Sequence, residues 1–176
     1  TNPGSDSSPA WSPDGAWLTY TTVVQPDLIW YATRHLAVIS AKGGEPRLLT
    51  ESLDRRVSSP RFTPDGRRIT FLLEDSAERH LARIDTNGRN LAPIIPGQRS
   101  VRTYTAHKSG RIATIISDPH IPGEIYIYDQ AGVKQITSVN ERLFSGIRLG
   151  EIENVTFNSK DGTEVEGFIV KPPGFD

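Results

Sequence analysis

Two stretches of this chain say nearly the same thing. Residues 11–20 read "WSPDGAWLTY" and residues 62–71 read "FTPDGRRITF". Each has an aromatic, a small hydroxyl residue, Pro-Asp-Gly and then an alternating apolar run. Aligned on the turn dipeptide, Asp14-Gly15, Asp65-Gly66, Ser109-Gly110 and Asp161-Gly162 recur at spacings of 51, 44 and 51 residues. A self-similar period of about 40–50 residues restricts the chain to repeat architectures, and four short strands per period point to propeller blades.

The strands can be read inside each period. "AWLTYTTVV", "RRITFLLE" and "RIATIIS" alternate with period two. "HLAVISA", "HLARIDT" and "EIYIYDQ" follow them, then a Gly turn, then "PRLLT", "LAPII" and "VKQIT". These β-branched and aromatic runs are bounded by Gly, Pro and Asn. No apolar 3.6-residue period lasts three turns, so no helix is expected. The predicted fold is all-β: a partial β-propeller of about three four-stranded antiparallel blades, TolB/WD-like, followed by a β-hairpin. The blades cover roughly residues 1–57, 58–101 and 102–149, and the hairpin covers 150–176.

This reading makes the repeated Asp architectural. Asp-Gly suits a tight two-residue hairpin turn, where Gly adopts positive φ freely and Asp tolerates it, and a preceding Pro presets φ. Asp14, Gly15, Asp65, Gly66, Asp161 and Gly162 are therefore expected to be turn formers. The EF-hand calcium-loop pattern is absent.

Composition narrows the function classes. The chain has 176 residues, enough for one domain with a real core, and 20 basic against 21 acidic residues. A balanced charge without a basic stripe argues against nucleic acid as a partner. No apolar run approaches a membrane span. There is no cysteine, which excludes disulfides and thiolate zinc sites, and no methionine, which suggests an internal piece of a longer chain. Nothing fixes the compartment; cytoplasm and periplasm stay open. No cofactor and no metal are expected.

The last 27 residues change pattern from four strands to two, and end in "KPPGFD". Together, the "SPDG" units and "FNSKDGTEVEGFIVKPPGFD" resemble the prolyl oligopeptidase family of serine peptidases, in its acylaminoacyl-peptidase and dipeptidyl-peptidase-like branch. The resemblance spans nearly the whole chain. It implies an N-terminal propeller that covers an α/β-hydrolase domain, with residues 150–176 as the first hairpin of that domain. The partners it implies are the hydrolase domain of the parent chain and a short peptide substrate. TolB-like propellers carry the same "SPDG" units, so a protein-interaction scaffold is the rival reading; the tail is what distinguishes the two.

No catalytic residue carries over. The family's G-x-S-x-G elbow and its oxyanion stretch do not occur in these 176 residues. The chain is accordingly expected to be inactive alone. His35, His80, His107 and His120 form no metal-binding helix pair. His35 and His80 precede the third strand of their blades at the same place, which suggests a structural position. Glu151/Glu153 and Glu164/Glu166 read as solvated faces of strands. Asn154-Val155-Thr156 fits the glycosylation pattern but lies in a predicted strand.

Antiparallel blades put the Pro-Asp-Gly turns and the Gly-rich turns on one face. The loops 25–34, 74–79 and 118–123, with junctions 51–59 and 97–101, fall on the other. This second face is expected to look toward an active site in the parent, with Trp30, Tyr31 and His120 as the substrate-facing candidates. Residues 28–31 can also be read as an extension of a strand buried between blades. Three blades do not close a ring, so the expectation is either self-association through open blade edges or that the chain is one segment of a longer one.

Overall fold

The computed structural model describes residues 4–175. Alternating β-branched and aromatic residues build four strands per period, as the sequence leads one to expect. The first blade holds β1 (Asp6–Trp11), β2 (Trp17–Thr22), β3 (His35–Ser40) and β4 (Arg47–Leu48), paired in that order. The second holds β5 (Val57–Phe62), β6 (Arg68–Asp75), β7 (Glu78–Asp85) and β8 (Ala92–Ile95). The third holds β9 (Ser100–Ala106), β10 (Ile112–Ser117), β11 (Glu124–Asp129) and β12 (Gly132–Gln135). β13 (Glu151–Asn158) and β14 (Glu164–Lys171) form a separate antiparallel hairpin. Nearly all regular structure is strand, and the fold is a partial β-propeller.

Three details depart from the sequence expectation. First, two short helical turns exist: a 3-10 turn over Pro26–Tyr31 and α1 (Glu141–Phe144). Each is too short to leave a helical period in the sequence. Second, the second and third blades share one ladder, because Arg79 pairs in parallel with Ser100. The junction of residues 96–99 is short enough to deliver β9 beside β7 instead of starting a detached sheet. Third, the Asp-Gly turns are not two-residue turns. The Ser12 carbonyl accepts from Gly15 N–H at 3.0 Å, Ser12 N–H donates to the Trp17 carbonyl at 2.8 Å, and only Gly15 (φ 68) takes positive φ. Asp14 acts through its side chain instead.

The ladders share one register. Trp17 pairs with Ser40, and Arg68 with Asp85. Counting along them puts His35, His80 and Glu124 at the same position of successive blades. A latch surrounds that position. Leu36 N–H donates to Thr50 Oγ1 (2.8 Å), and Ile125 N–H donates to Thr137 Oγ1 (2.9 Å). His35 Nδ1 lies 2.9 Å from the Thr50 carbonyl. Glu124 accepts from the Thr137 hydroxyl (2.5 Å) and from Asn140 N–H (3.1 Å). The Thr137 hydroxyl is the main reason the Glu124 carboxyl stays below its usual range, although the side chain is buried. In the second blade Pro96 follows Ile95 and no such hydroxyl is present. His80 Nδ1 there has no partner among the described residues, while its Nε2 faces Glu78 at 3.3 Å.

Period two decides the core. One face of the middle blade packs on the blade before it, and the other on the blade after it, so both must be apolar. Leu36, Val38 and Leu49 of the first blade meet Val57, Ile69, Phe71 and Ile84 of the second. Leu72, Leu81 and Ile95 of the second meet Val101, Tyr104, Ile112 and Ile116 of the third. Tyr104 also carries a polar tie. Its hydroxyl lies 2.7 Å from the Ser59 carbonyl and 2.8 Å from the Thr70 carbonyl. Ser59 sits at positive φ (53°) where β5 bulges against β6, so the bulge carbonyl is offered to the next blade.

Burial pushes the Tyr104 hydroxyl up to about 12. Its folded value exceeds the unfolded value of about 10, so the contribution is complete below pH ~10 and is lost as pH rises toward 12. Tyr104→Phe is expected to cost about 1–3 kcal/mol at neutral pH by leaving buried carbonyls short of a donor. It is also expected to flatten the alkaline fall in stability. Urea unfolding at neutral and alkaline pH checks both; an unchanged midpoint and an unchanged alkaline slope would contradict the tie.

Candidate functional site

Chain direction gives the propeller two unlike faces. The turn face carries the repeated Asp. Asp14 Oδ1 accepts from the Ser12 hydroxyl (2.5 Å) and Ala16 N–H (3.0 Å). Asp65 Oδ1 accepts from the Thr63 hydroxyl (2.6 Å) and Arg67 N–H (3.1 Å). Asp161 accepts from the Ser159 hydroxyl and from Thr163 N–H (3.0 Å). The hydroxyl, and after it the backbone N–H, holds Asp14 and Asp65 below the usual carboxylate range, and Asp161 down to about 2. With Oδ1 of each held by its own turn, these carboxylates serve the turn's geometry. Gly66 (φ 68) and Gly162 (φ 86) supply the left-handed residue, as Gly15 does. In the third blade His107 and Ser109 replace the hydroxyl and the Asp: His107 Nδ1 lies 2.8 Å from Ser109 Oγ.

The junction face is built from the other connections. Its second-blade loop is shorter than the sequence suggests. Glu74 and Arg79 pair in the ladder and as ions at 3.2 Å, which leaves only Ser76 and Ala77 to turn the chain. Both sit at positive φ (50° and 61°), without glycine. A left-handed conformation costs a non-glycine residue about 1–2 kcal/mol. Arg55 braces the turn through Asp75 at 2.6 Å.

The third-blade loop is fixed by Asp118, whose Oδ1 accepts from His120 N–H (2.8 Å) and Ile121 N–H (2.7 Å). This aims the imidazole at the tail, where His120 Nε2 lies 3.0 Å from the Gly150 carbonyl. The β13–β14 hairpin therefore starts against the junction face, and a cleft of about 490 Å³ opens between them. Ala77, Arg99 and His120 line it from the propeller, and Ile152, Asn154 and Phe168 from the hairpin.

His120 thus lies in this cleft, and Trp30 and Tyr31 do not line it. They stand on the 3-10 turn, 86% and 87% exposed, so residues 28–31 are a surface loop and not a buried strand. The Arg56 guanidinium ties that turn to the first junction through the Trp30 carbonyl at 3.2 Å. Ser100, Ser117, Asp118 and His120 share the cleft, yet no serine hydroxyl hydrogen-bonds His120 among the described residues. The nucleophile–base pair that acyl transfer needs is therefore not assembled here. Among the described residues no group of three or more His, Asp or Glu could hold a metal ion. No helix of the described residues is long and apolar enough to cross a membrane.

Sequence reasoning missed Tyr104, Thr50, Thr137 and Glu124. For Thr50, Thr137 and Glu124 the signal was present as "LT" and "IT" ending the fourth strands of the first and third blades, with "HL" and "EI" opening their third strands.

The fold recurs in solved structures. An acylaminoacyl peptidase from Pyrococcus horikoshii superposes on 90% of this chain and 24% of its own, with TM-score 0.74 and 19% identity. The β-propeller domain of the Trilobed protease from Pyrococcus furiosus covers 75% of this chain and 38% of its own, with TM-score 0.59 and 19% identity. TolB from Acinetobacter baumannii covers 97% and 39%, with TM-score 0.55 and 20% identity. The chain spans about a quarter of the length of the P. horikoshii peptidase. No protein-family model matches it, and neither does any curated protein. What is shared is the fold: a propeller of the kind found in acylaminoacyl peptidases and in TolB proteins.

Replacing Ala77 with glycine removes left-handed strain at the rim of the cleft, partly offset by a more flexible unfolded chain. Ala77→Gly is expected to gain about 1 kcal/mol in denaturant unfolding. A loss of stability would mean the turn is not strained.

Proposed function

We propose that this chain is the gating part of a serine peptidase of the prolyl oligopeptidase type. Its propeller segment, residues 1–149, restricts which short peptides reach a hydrolase domain, and residues 150–176 form the first hairpin of that domain. The observation that carries the reading is the seat of the hairpin. It leaves the third blade from the junction face, is held by His120 at Gly150, and encloses a cleft against the loops of that face. A domain continuing from this hairpin would lie under those loops, with exposed Trp30 and Tyr31 facing the space between. The tail "KDGTEVEGFIVKPPGFD" supports the same reading, since an interaction scaffold has no use for it.

The rival is a TolB-like scaffold that binds a protein partner. The TolB likeness favours it, although TolB superposes less closely over a similar share of the chain. Neither reading assigns catalysis to this chain, and among the described residues no serine hydroxyl pairs with His120 in the cleft.

Blocked tripeptides titrated into the isotope-labelled chain provide the test. The expected amide shift changes fall on residues 25–34, 76–77 and 118–123, and Trp30→Ala weakens the binding several-fold. Shift changes confined to the turn face, around residues 63–66 and 108–111, would contradict the proposal.

A further inference from the structure

The two blade interfaces of this molecule differ at one place. By ladder register, Trp11, Phe62 and Ala106 hold the same position at the end of the first strand of their blades. Val38, Arg83 and Ile127 share a position in the third strand. At the first interface Val38 is buried in the core, and Phe62 of the facing blade packs against that core. At the second interface Arg83 and Ala106 take these two places. A long charged side chain replaces a buried valine, and a methyl group replaces an aromatic ring. The result is a groove of about 990 Å³ that opens between the second and third blades on the turn face. Ile94, Ala106, Ile112 and Tyr128 give it an apolar wall, and Arg83, Lys108 and Arg111 bring positive charge to it.

These cations are not answered within the chain. Arg83 is half-buried, yet among the described residues it forms no ion pair, and neither do Lys108 and Arg111. Arg68, the fourth cation of the lining, is taken by Asp85 at 3.2 Å. Two carboxylates also line the groove. Oδ1 of Asp65 is held by its own turn, and Oδ1 of Asp129 accepts from Ala131 N–H at 2.9 Å. Positive groups therefore outnumber negative ones four to two. Withdrawing a guanidinium from water without a carboxylate beside it costs stability. The other two blades have Val38 and Ile127 at this position and avoid that cost.

We propose that the groove binds an acidic peptide segment of a partner protein. A large apolar side chain of that segment fills the space that Phe62 fills at the first interface. Carboxylates on either side of it meet Arg83, Lys108 and Arg111. The apolar wall selects such an anchored segment over a phosphate backbone, which would meet the cations alone. Both walls belong to complete four-stranded blades, and the groove opens on the face opposite the β13–β14 hairpin. It is therefore separate from the cleft proposed for gating, and either site can fail without the other.

Fluorescence anisotropy with a labelled, blocked pentapeptide, one phenylalanine between two pairs of glutamates, tests this. The chain is expected to bind it, more weakly as salt rises, with amide shift changes on residues 106–112 and 128–131. Ala106→Phe supplies the kind of side chain that the other blades carry at this position and is expected to weaken binding by about tenfold or more. Arg83→Val installs the residue type of the first blade and is expected to weaken binding several-fold with no loss of stability in urea. Changing the peptide's phenylalanine to alanine, or its glutamates to glutamines, is expected to weaken binding as well. No binding by the wild-type chain at millimolar peptide would overturn the proposal. So would shift changes that fall on residues 25–34 and 118–123 instead. Unaltered affinity in an Ala106→Phe or Arg83→Val chain that keeps its strands by circular dichroism would also overturn it. Equal affinity for the alanine peptide would do the same, because only charge attraction would then be left.

Discussion

A sheet that is apolar on both sides has to be covered on both sides, and the molecule is organised around that requirement. Phe71 and Ile69 are fully buried only because Leu36, Val38 and Leu49 of the preceding blade lie over them. Leu72 and Leu81 on the reverse of the same sheet depend on Tyr104, Ile112 and Ile116 of the following blade. The middle blade is thus supported from two sides and each end blade from one. Removing a side chain such as Phe71 costs about 3–5 kcal/mol, and the loss is felt by two blades at once.

Polar groups adapt to that packing. Bulges at Ser8 and Ser59, both at positive φ, break the first strand of their blades at equivalent places. In the second blade the freed carbonyl is taken up by Tyr104 across the interface. The latch at Thr50 and Thr137 joins the end of the fourth strand to the start of the third, where plain ladder bonds have run out. His80 shows the effect of proline in place of that hydroxyl: its ring is as buried as His35, and one nitrogen is left without a described partner.

Much of the fold was legible in the sequence because its governing periods are simple. The 44- and 51-residue spacings gave the blades, and alternation within "RRITFLLE" and "RIATIIS" gave the strands. Chain direction alone separated the two faces. What stayed hidden depended on three-dimensional detail. The 3-10 turn over Pro26–Tyr31 is too brief to leave a period, and the loop after β6 shrank to two residues because Glu74 and Arg79 pair across the ladder. The Asp of each Pro-Asp-Gly turn was expected to tolerate positive φ; it works instead as an acceptor for its own turn. The cleft beside His120 was not legible either, since it exists only through the seat of a hairpin thirty residues further along the chain.

The proposed function makes the junction face, which frames the hairpin and the cleft, the roof of another domain. The most direct test is the coding sequence immediately beyond Asp176. The account predicts a continuous frame carrying an oxyanion stretch and then G-x-S-x-G, with Asp and His after it. A stop codon, or a further propeller blade in that place, would contradict it and leave the scaffold reading standing.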